Sequence, residues 1–192
     1  MSDWKQRLTR TLEPILREAD PRPKISAYHN MPYAIFRYSP EDEFALRGEV
    51  SMLRTRLEQA GKRVTVISLA NCLELALERA GFTTKRVEMA EKRTGTHKVV
   101  ETFHKLLEKR HPLDELVAEQ IPDKADPLTD VVFITRAGAL FPFYRTSSLL
   151  EQLKGKVNVP AVLFYPGELD GAAGLRFMGV LHAEHNYRPK IF

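Results

Sequence analysis

The chain has 192 residues, 43% of them hydrophobic and 28% charged, with a formal net charge of +4. A chain of that size suits one domain that folds alone and buries roughly two thirds of its unfolded surface. The one cysteine, Cys72, excludes an internal disulfide and lacks the second thiol of a C-x-x-C redox or zinc motif, which fits a reducing compartment.

The first twenty residues lack the unbroken apolar core of a signal peptide, and no later stretch approaches the roughly 20 apolar residues that span a bilayer. A soluble, cytoplasmic protein with no membrane partner is expected. Leu8, Leu12, Ile15, Leu16 and Ala19 follow a helical spacing over residues 3–19, with Pro14 forcing a kink or restart, and Asp20-Pro21-Arg22-Pro23 reads as a linker. Residues 33–38 are β-prone. Ser39-Pro40-Glu41-Asp42 then starts a helix running through Phe44, Val50, Leu53 and Leu57 to Gly61. Residues 64–69 form the next strand, and Asn71 is placed to cap a helix that closes at Gly81. Strand, helix, strand is a βαβ unit, which builds a parallel sheet.

Residues 82–121 show no strand pattern and read as two or three helices inserted beside the sheet. Pro122 and Pro127 interrupt the chain, after which the alternation resumes. Residues 130–135 and 161–165 are apolar strands with a helix over about 144–154 between them, and residues 175–181 and 187–192 are candidate terminal strands. The fold class is α/β, a mostly parallel central sheet of about four to six strands flanked by helices, Rossmann-like without a phosphate-binding loop.

The usual signatures of chemistry fail one by one. Gly61-Lys62 is followed by Arg63 and has Arg56 five residues before Gly61, so no P-loop forms, and no G-x-G-x-x-G, G-x-S-x-G or H-E-x-x-H occurs. His97, His104 and His111 recur every seventh residue, a rise of about 10.5 Å that is too long for neighbours to share one metal. His182-Ala183-Glu184-His185 is tighter but has no fixed third ligand. No cofactor, metal or catalytic residue is assigned, and a non-enzymatic role is expected.

Two loops remain. RAGALFPFYR follows one strand, with Arg136 and Arg145 flanking the apolar Phe141, Phe143 and Tyr144. Such a loop folds into the core, is covered by a partner protein, or lines a ligand pocket; aromatic residues and arginines together are typical interface anchors. YPGELDG follows the other strand, and Tyr165-Pro166-Gly167 is expected to turn sharply and bring Glu168 and Asp170 beside those arginines. If the two strands are parallel neighbours, both loops open at one sheet edge, where α/β folds place their crevice. Residues 83–111 hold eight Lys or Arg against four Glu, the whole net excess of the chain. Lys92, Arg93, Lys105 and Arg110 are the candidates there for nucleic-acid contact, against the alternative of a solvated face.

DVVFITRAGALFPFYRTSSLLEQLKGKVNVPAVLFYPGELDG, the terminal NYRPKIF, and the earlier EDEFALRGEV and GKRVTVISLANCLELAL resemble the BrxB family, small proteins of bacterial BREX phage-defence systems. The resemblance spans most of the chain from about Tyr33 and is weakest in the basic helical middle. It implies a cytoplasmic member of a multi-protein assembly, with PglZ, the alkaline-phosphatase-like component, as the partner. The family carries no established catalytic residues onto this chain. The expected function is a protein adaptor, docking through Arg136, Phe141, Phe143, Tyr144, Arg145, Tyr165 and Glu168. The alternatives are nucleic-acid binding by residues 83–111 and a degenerate nucleotide-binding enzyme.

Overall fold

A computed structural model describes residues 3–26, 31–171, 174–184 and 189–192. The amino-terminal helical segment runs as α1 (Asp3–Arg7), a π-helical turn over Leu8–Leu12, and α2 (Glu13–Leu16). Pro14 has no N–H to donate and its ring crowds the preceding turn, so the expected kink takes the form of this widened turn, closed by Glu13 N–H on the Leu8 carbonyl. The predicted linker contains a short helix, α3 (Arg22–Ile25), because the Asp20 carboxylate accepts the Arg22 backbone N–H at 3.1 Å and its guanidinium at 2.8 and 2.7 Å.

Strand β1 (Tyr33–Tyr38) leads through a 3-10 turn at Pro40–Asp42 into α4 (Glu43–Gln59). The Ser39 hydroxyl makes no capping bond there. Leu46, Val50, Leu53 and Leu57 form the buried stripe of α4, at spacings of four, three and four residues. Phe44 lies off that stripe, contrary to expectation. Next come β2 (Arg63–Ser68) and α5 (Leu69–Arg79), whose N-cap is the Ser68 hydroxyl accepting the Asn71 N–H, with Gly81 at φ +72° past its end. Asn71 is thus the donor in the cap that it was expected to provide. Residues 82–121 carry α6 (Thr84–Thr94), α7 (Thr96–Lys105), a π-helical turn at Leu106–Arg110, and α8 (Leu113–Ala118).

Strand β3 (Asp130–Thr135) is followed by a 3-10 turn at Ala137–Leu140 and α9 (Thr146–Gln152), two residues shorter at its start than expected. β4 (Ala161–Asp170), β5 (Gly174–Phe177) and β6 (Lys190–Ile191) complete the chain. Of the predicted terminal strand, residues 187 and 188 lie outside the described residues. The strand order is β2-β3-β4-β1-β6, all parallel, with β5 antiparallel on the extension of β4.

β1 and β2 are therefore parallel but not neighbours. β3 and β4, buried along the shared sheet, take the centre where helices cover both faces, and the crossover through α4 is long enough to step over them. β2, with exposed Arg63 and Val66, takes one edge. Alternation splits the core in two. Tyr33, Ile35, Val132, Ile134 and Leu163 face α5, α8 and α9, while Phe36, Val64, Phe133, Val162 and Phe164 face α1 and α4. Among the described residues no helix is long and apolar enough to cross a membrane.

Candidate docking surface

All four long strands end at one edge: Tyr38 aligns with Pro166, Ile134 with Leu163 and Ser68 with Thr135. The expectation that β3 and β4 are adjacent and parallel holds, and their loops do meet at that edge. What the loops do there differs from expectation. Beyond Tyr165 the chain does not turn. β4 continues straight through Pro166 and Gly167 to Asp170 and pairs with β5. Gly167 permits this because a Cβ there would lie 2.4 Å from the Arg176 carbonyl and from the Tyr165 ring. Asp170 pairs with Arg176 across the hairpin at 2.7 Å, and Arg145 pairs with Glu184 at 2.8 Å, so the predicted bridges between the two loops give way to these. Glu168 is exposed on the hairpin, within electrostatic reach of Arg37.

The aromatic loop folds inward. Arg136 adopts the left-handed conformation (φ 59°, ψ 37°) and starts the 3-10 turn, after which the Leu140 carbonyl accepts the Phe143 and Tyr144 N–H groups at 2.7 and 2.9 Å. Phe143 packs on Phe103 of α7 at 5.1 Å, and Phe103 on Phe82 at 5.8 Å. Phe141 and Tyr165 both meet Phe177 of β5, at 6.3 and 5.4 Å. Tyr144 is 3% exposed; its hydroxyl donates to Gln152 at 2.6 Å, and burial pushes its pKa up to about 12. Of the predicted docking residues, Tyr144 and Tyr165 are therefore core residues, Phe141 and Phe143 are half-buried, and Arg145 and Glu168 are exposed.

Arg136 points to a different surface. It lines a cleft of about 240 Å³ between α4 and the ends of β2 and β3, floored by Val66 and Phe164 and flanked by Arg47 and Arg54. The Nε of Arg136 is buried, and its side chain has no hydrogen-bond or ionic partner among the described residues. Arg54 is held by Glu58 at 2.7 Å and Arg47 by Glu43 at 2.8 Å, while the Tyr38 hydroxyl donates to the other oxygen of Glu43. Burial, then the Glu43 carboxylate, raises the Tyr38 pKa far above its ordinary value. Arg47 also stacks over Phe44 at 5.0 Å, and Phe44 is 81% exposed. Phe44, Arg47, Arg54 and Val66 were missed as site residues. The available signal was Phe44, which stands six residues before Val50 and so cannot share its helix face.

The basic helical segment is placed at the surface, and α6 has no buried residue. Lys92 is tied to Glu88 at 2.7 Å and Lys105 to Glu101 at 2.6 Å, whereas Arg93 and Arg110 have no side-chain partner among the described residues. The Lys98 and Lys105 ammonium groups pull the Glu101 carboxyl down to about 2. His97 and His104 share α7, and His104 Nδ1 lies 3.2 Å from the Phe143 carbonyl. Among the described residues no three His, Cys, Asp or Glu converge on a metal-sized site; His185 lies outside them. Lys62, the lysine nearest to a P-loop pattern, is buried and donates to the carbonyls of Glu18, Ala19 and Leu128 at 2.5, 3.3 and 2.7 Å. Burial lowers its pKa, and its bonds tie the amino-terminal segment to the sheet.

A parallel sheet covered on both faces, with an arginine-lined crevice at its carboxyl edge, defines a Rossmann-like α/β protein without a phosphate-binding loop. The family profile described as BREX protein BrxB matches residues 65–191, and the chain belongs to the BrxB family. It is 29% identical over 177 residues to a BREX protein BrxB of Bacillus cereus (strain H3081.97), covering 91% of this chain and 90% of the relative. No solved structure matches. As a family member, the protein is a component of a BREX system.

Proposed function

We propose that this protein is a non-catalytic adaptor of a cytoplasmic BREX phage-defence assembly, and that it binds PglZ. The observation that carries the reading is the exposed Phe44–Arg47 pair beside the cleft that holds the unpaired Arg136. Tryptophan, tyrosine and arginine dominate binding hot spots, and an aromatic ring stacked by arginine beside a surface cleft floored by apolar side chains shares that chemistry. A phenylalanine this exposed contributes almost nothing to the fold. Covering it with a partner removes apolar surface from water.

Co-expression with PglZ followed by gel filtration at micromolar concentration tests the reading. The two chains are expected to co-migrate, and the double variant Phe44→Ala, Arg47→Ala to separate them. Failure of the unaltered chain to co-migrate sinks the proposal.

A second reading, nucleic-acid binding by residues 83–111, is favoured by α6, which has no buried residue and carries in its last turn Arg93, unpaired among the described residues. It requires affinity for DNA or RNA that falls steeply with salt. A flat salt dependence excludes it.

A further inference from the structure

Among the described residues the sheet has one long edge without a neighbour, and it is β2. The Arg63 N–H donates to the Thr129 carbonyl at 2.8 Å, and the Ile67 carbonyl accepts the Thr135 hydroxyl at 3.2 Å, so the odd-numbered residues of β2 address β3. In a parallel ladder the residues between them turn both backbone groups the other way. The N–H and C=O of Val64 and Val66 therefore face outward, and among the described residues no backbone group meets them.

Sheet edges are ordinarily blunted by shortness, proline, a bulge or charge. The opposite edge is blunted in this way, because β6 has two residues and follows Pro189. β2 has six residues, RVTVIS, with no proline and an unbroken register against β3. Its one charge, Arg63, is engaged by Asp130 at 2.5 and 2.9 Å. Val66 is 40% exposed in the middle of the strand.

Two clefts are built on this same strand. The cleft of about 240 Å³ includes Val66, and a second of about 560 Å³ includes Arg63, Val64 and Thr65 together with Lys124. Most of their charges are neutralised internally: Arg47 by Glu43, Arg54 by Glu58 and Arg63 by Asp130, while Lys62 is held by carbonyls. Beside the carbonyl-bound Lys62, two cations have neither an ionic nor a hydrogen-bond partner among the described residues, Arg136 in the first cleft and Lys124 in the second. A chain laid along β2 thus finds unpaired backbone groups in the middle and an unneutralised cation in each flanking cleft.

We propose that β2 accepts an extended acidic segment of a partner protein as an added strand, its backbone pairing with Val64 and Val66 and its carboxylates meeting Arg136 and Lys124. The proposal rests on the docking reading and names the chemistry of what docks. Strand addition draws affinity from main-chain hydrogen bonds and specificity from alternate side chains, here an apolar residue over Val66 and acidic residues toward the two cations.

Fluorescence anisotropy with a labelled peptide of about eight residues, two Glu at each end of a Val-Thr-Val-Thr centre so that acidic and apolar side chains share a face, tests this against the counterpart carrying Lys for each Glu. The acidic peptide is expected to bind and the basic one not. Val66→Pro removes an outward N–H without touching the β3 ladder, and is expected to weaken binding about fivefold or more, the loss of one hydrogen bond plus the ring's bulk. The double variant Arg136→Glu, Lys124→Glu leaves the strand intact and is expected to weaken binding at least as much. It carries the test by itself should circular dichroism show that Val66→Pro unfolds. No acidic-peptide binding up to about 1 mM, a threshold near −4 kcal/mol, overturns the proposal. So does equal binding of the basic peptide, or unchanged affinity in the double variant. A dimer of the free chain that Val66→Pro dissolves also overturns it, since a second copy then occupies the edge. PglZ co-migration that survives both variants leaves the adaptor standing and removes strand addition. Peptide binding without PglZ co-migration does the reverse.

Discussion

The loop over residues 136–145 and the first turns of α4 both set phenylalanine near arginine in sequence, and they differ in burial. Phe141, Phe143 and Tyr144 pack beneath α7 and β5, and the Tyr144 hydroxyl is satisfied by Gln152. Phe44 stands in solvent with Arg47 over its ring. An aromatic–arginine run therefore marks large contact area without saying whether the contact lies inside the chain or outside it. The difference comes from what lies above each segment. Residues 82–110 supply Phe103, backed by Phe82, and His104 to roof the loop, whereas no described element crosses the outer face of α4 at Phe44.

Tyr144→Ala is the sharpest way to break that comparison. It removes a buried ring and is expected to cost about 3 kcal/mol of stability, read as a shift in urea midpoint at unchanged slope. Tyr144→Phe separates the hydroxyl from the ring and should cost about 1 kcal/mol. Phe44→Ala is expected to leave stability within about 0.5 kcal/mol while weakening the partner complex by about 2 kcal/mol, roughly thirtyfold, by surface plasmon resonance. If Phe44→Ala unfolds the chain and Tyr144→Ala does not, the assignment of the two aromatic clusters is inverted.

A smaller effect concerns Asp130, at the start of the strand that feeds the aromatic loop. Arg63 and the Asp126 N–H hold its carboxyl below the ordinary carboxylate range. A depressed folded pKa contributes stability above the unfolded value, near about 4, and loses it as pH falls through the folded value. The stability gap between the native chain and Asp130→Asn should therefore be widest near neutrality and close on acidification; a gap independent of pH between 7 and about 3 contradicts this. The smallest effect is expected from Arg93→Ala with Arg110→Ala. Both are surface cations without side-chain partners among the described residues, so stability should not change beyond the roughly 0.5 kcal/mol typical of such sites, read by thermal melting. Any loss of nucleic-acid affinity in this variant would favour the second reading over the adaptor.

Much of the architecture was legible in the chain. The apolar runs at 130–135 and 161–165 are buried strands, and Gly81 follows the end of α5 at positive φ. The site was less legible. Phe44 is an apolar residue in the first turn of α4, yet Leu46 takes the buried stripe, and Tyr165-Pro166-Gly167 carries turn residues yet is strand. Proline and glycine favour turns locally, but at Gly167 the absent Cβ lets β5 and the Tyr165 ring approach, and pairing with Phe177 outweighs the local preference.

The sequence by itself determined the strand and helix periods, the parallel α/β class, the lack of a phosphate loop and the likeness to BrxB proteins, because periodicity and short motifs are local properties. Only the tertiary structure decided that β2 stands at an open edge, that Arg136 lies unpaired in the cleft beside α4, and that the aromatic loop is roofed. Strand order and burial depend on which distant segments compete for the same surface, and here residues 82–110 covered the loop while none of the described segments covered β2 or Phe44.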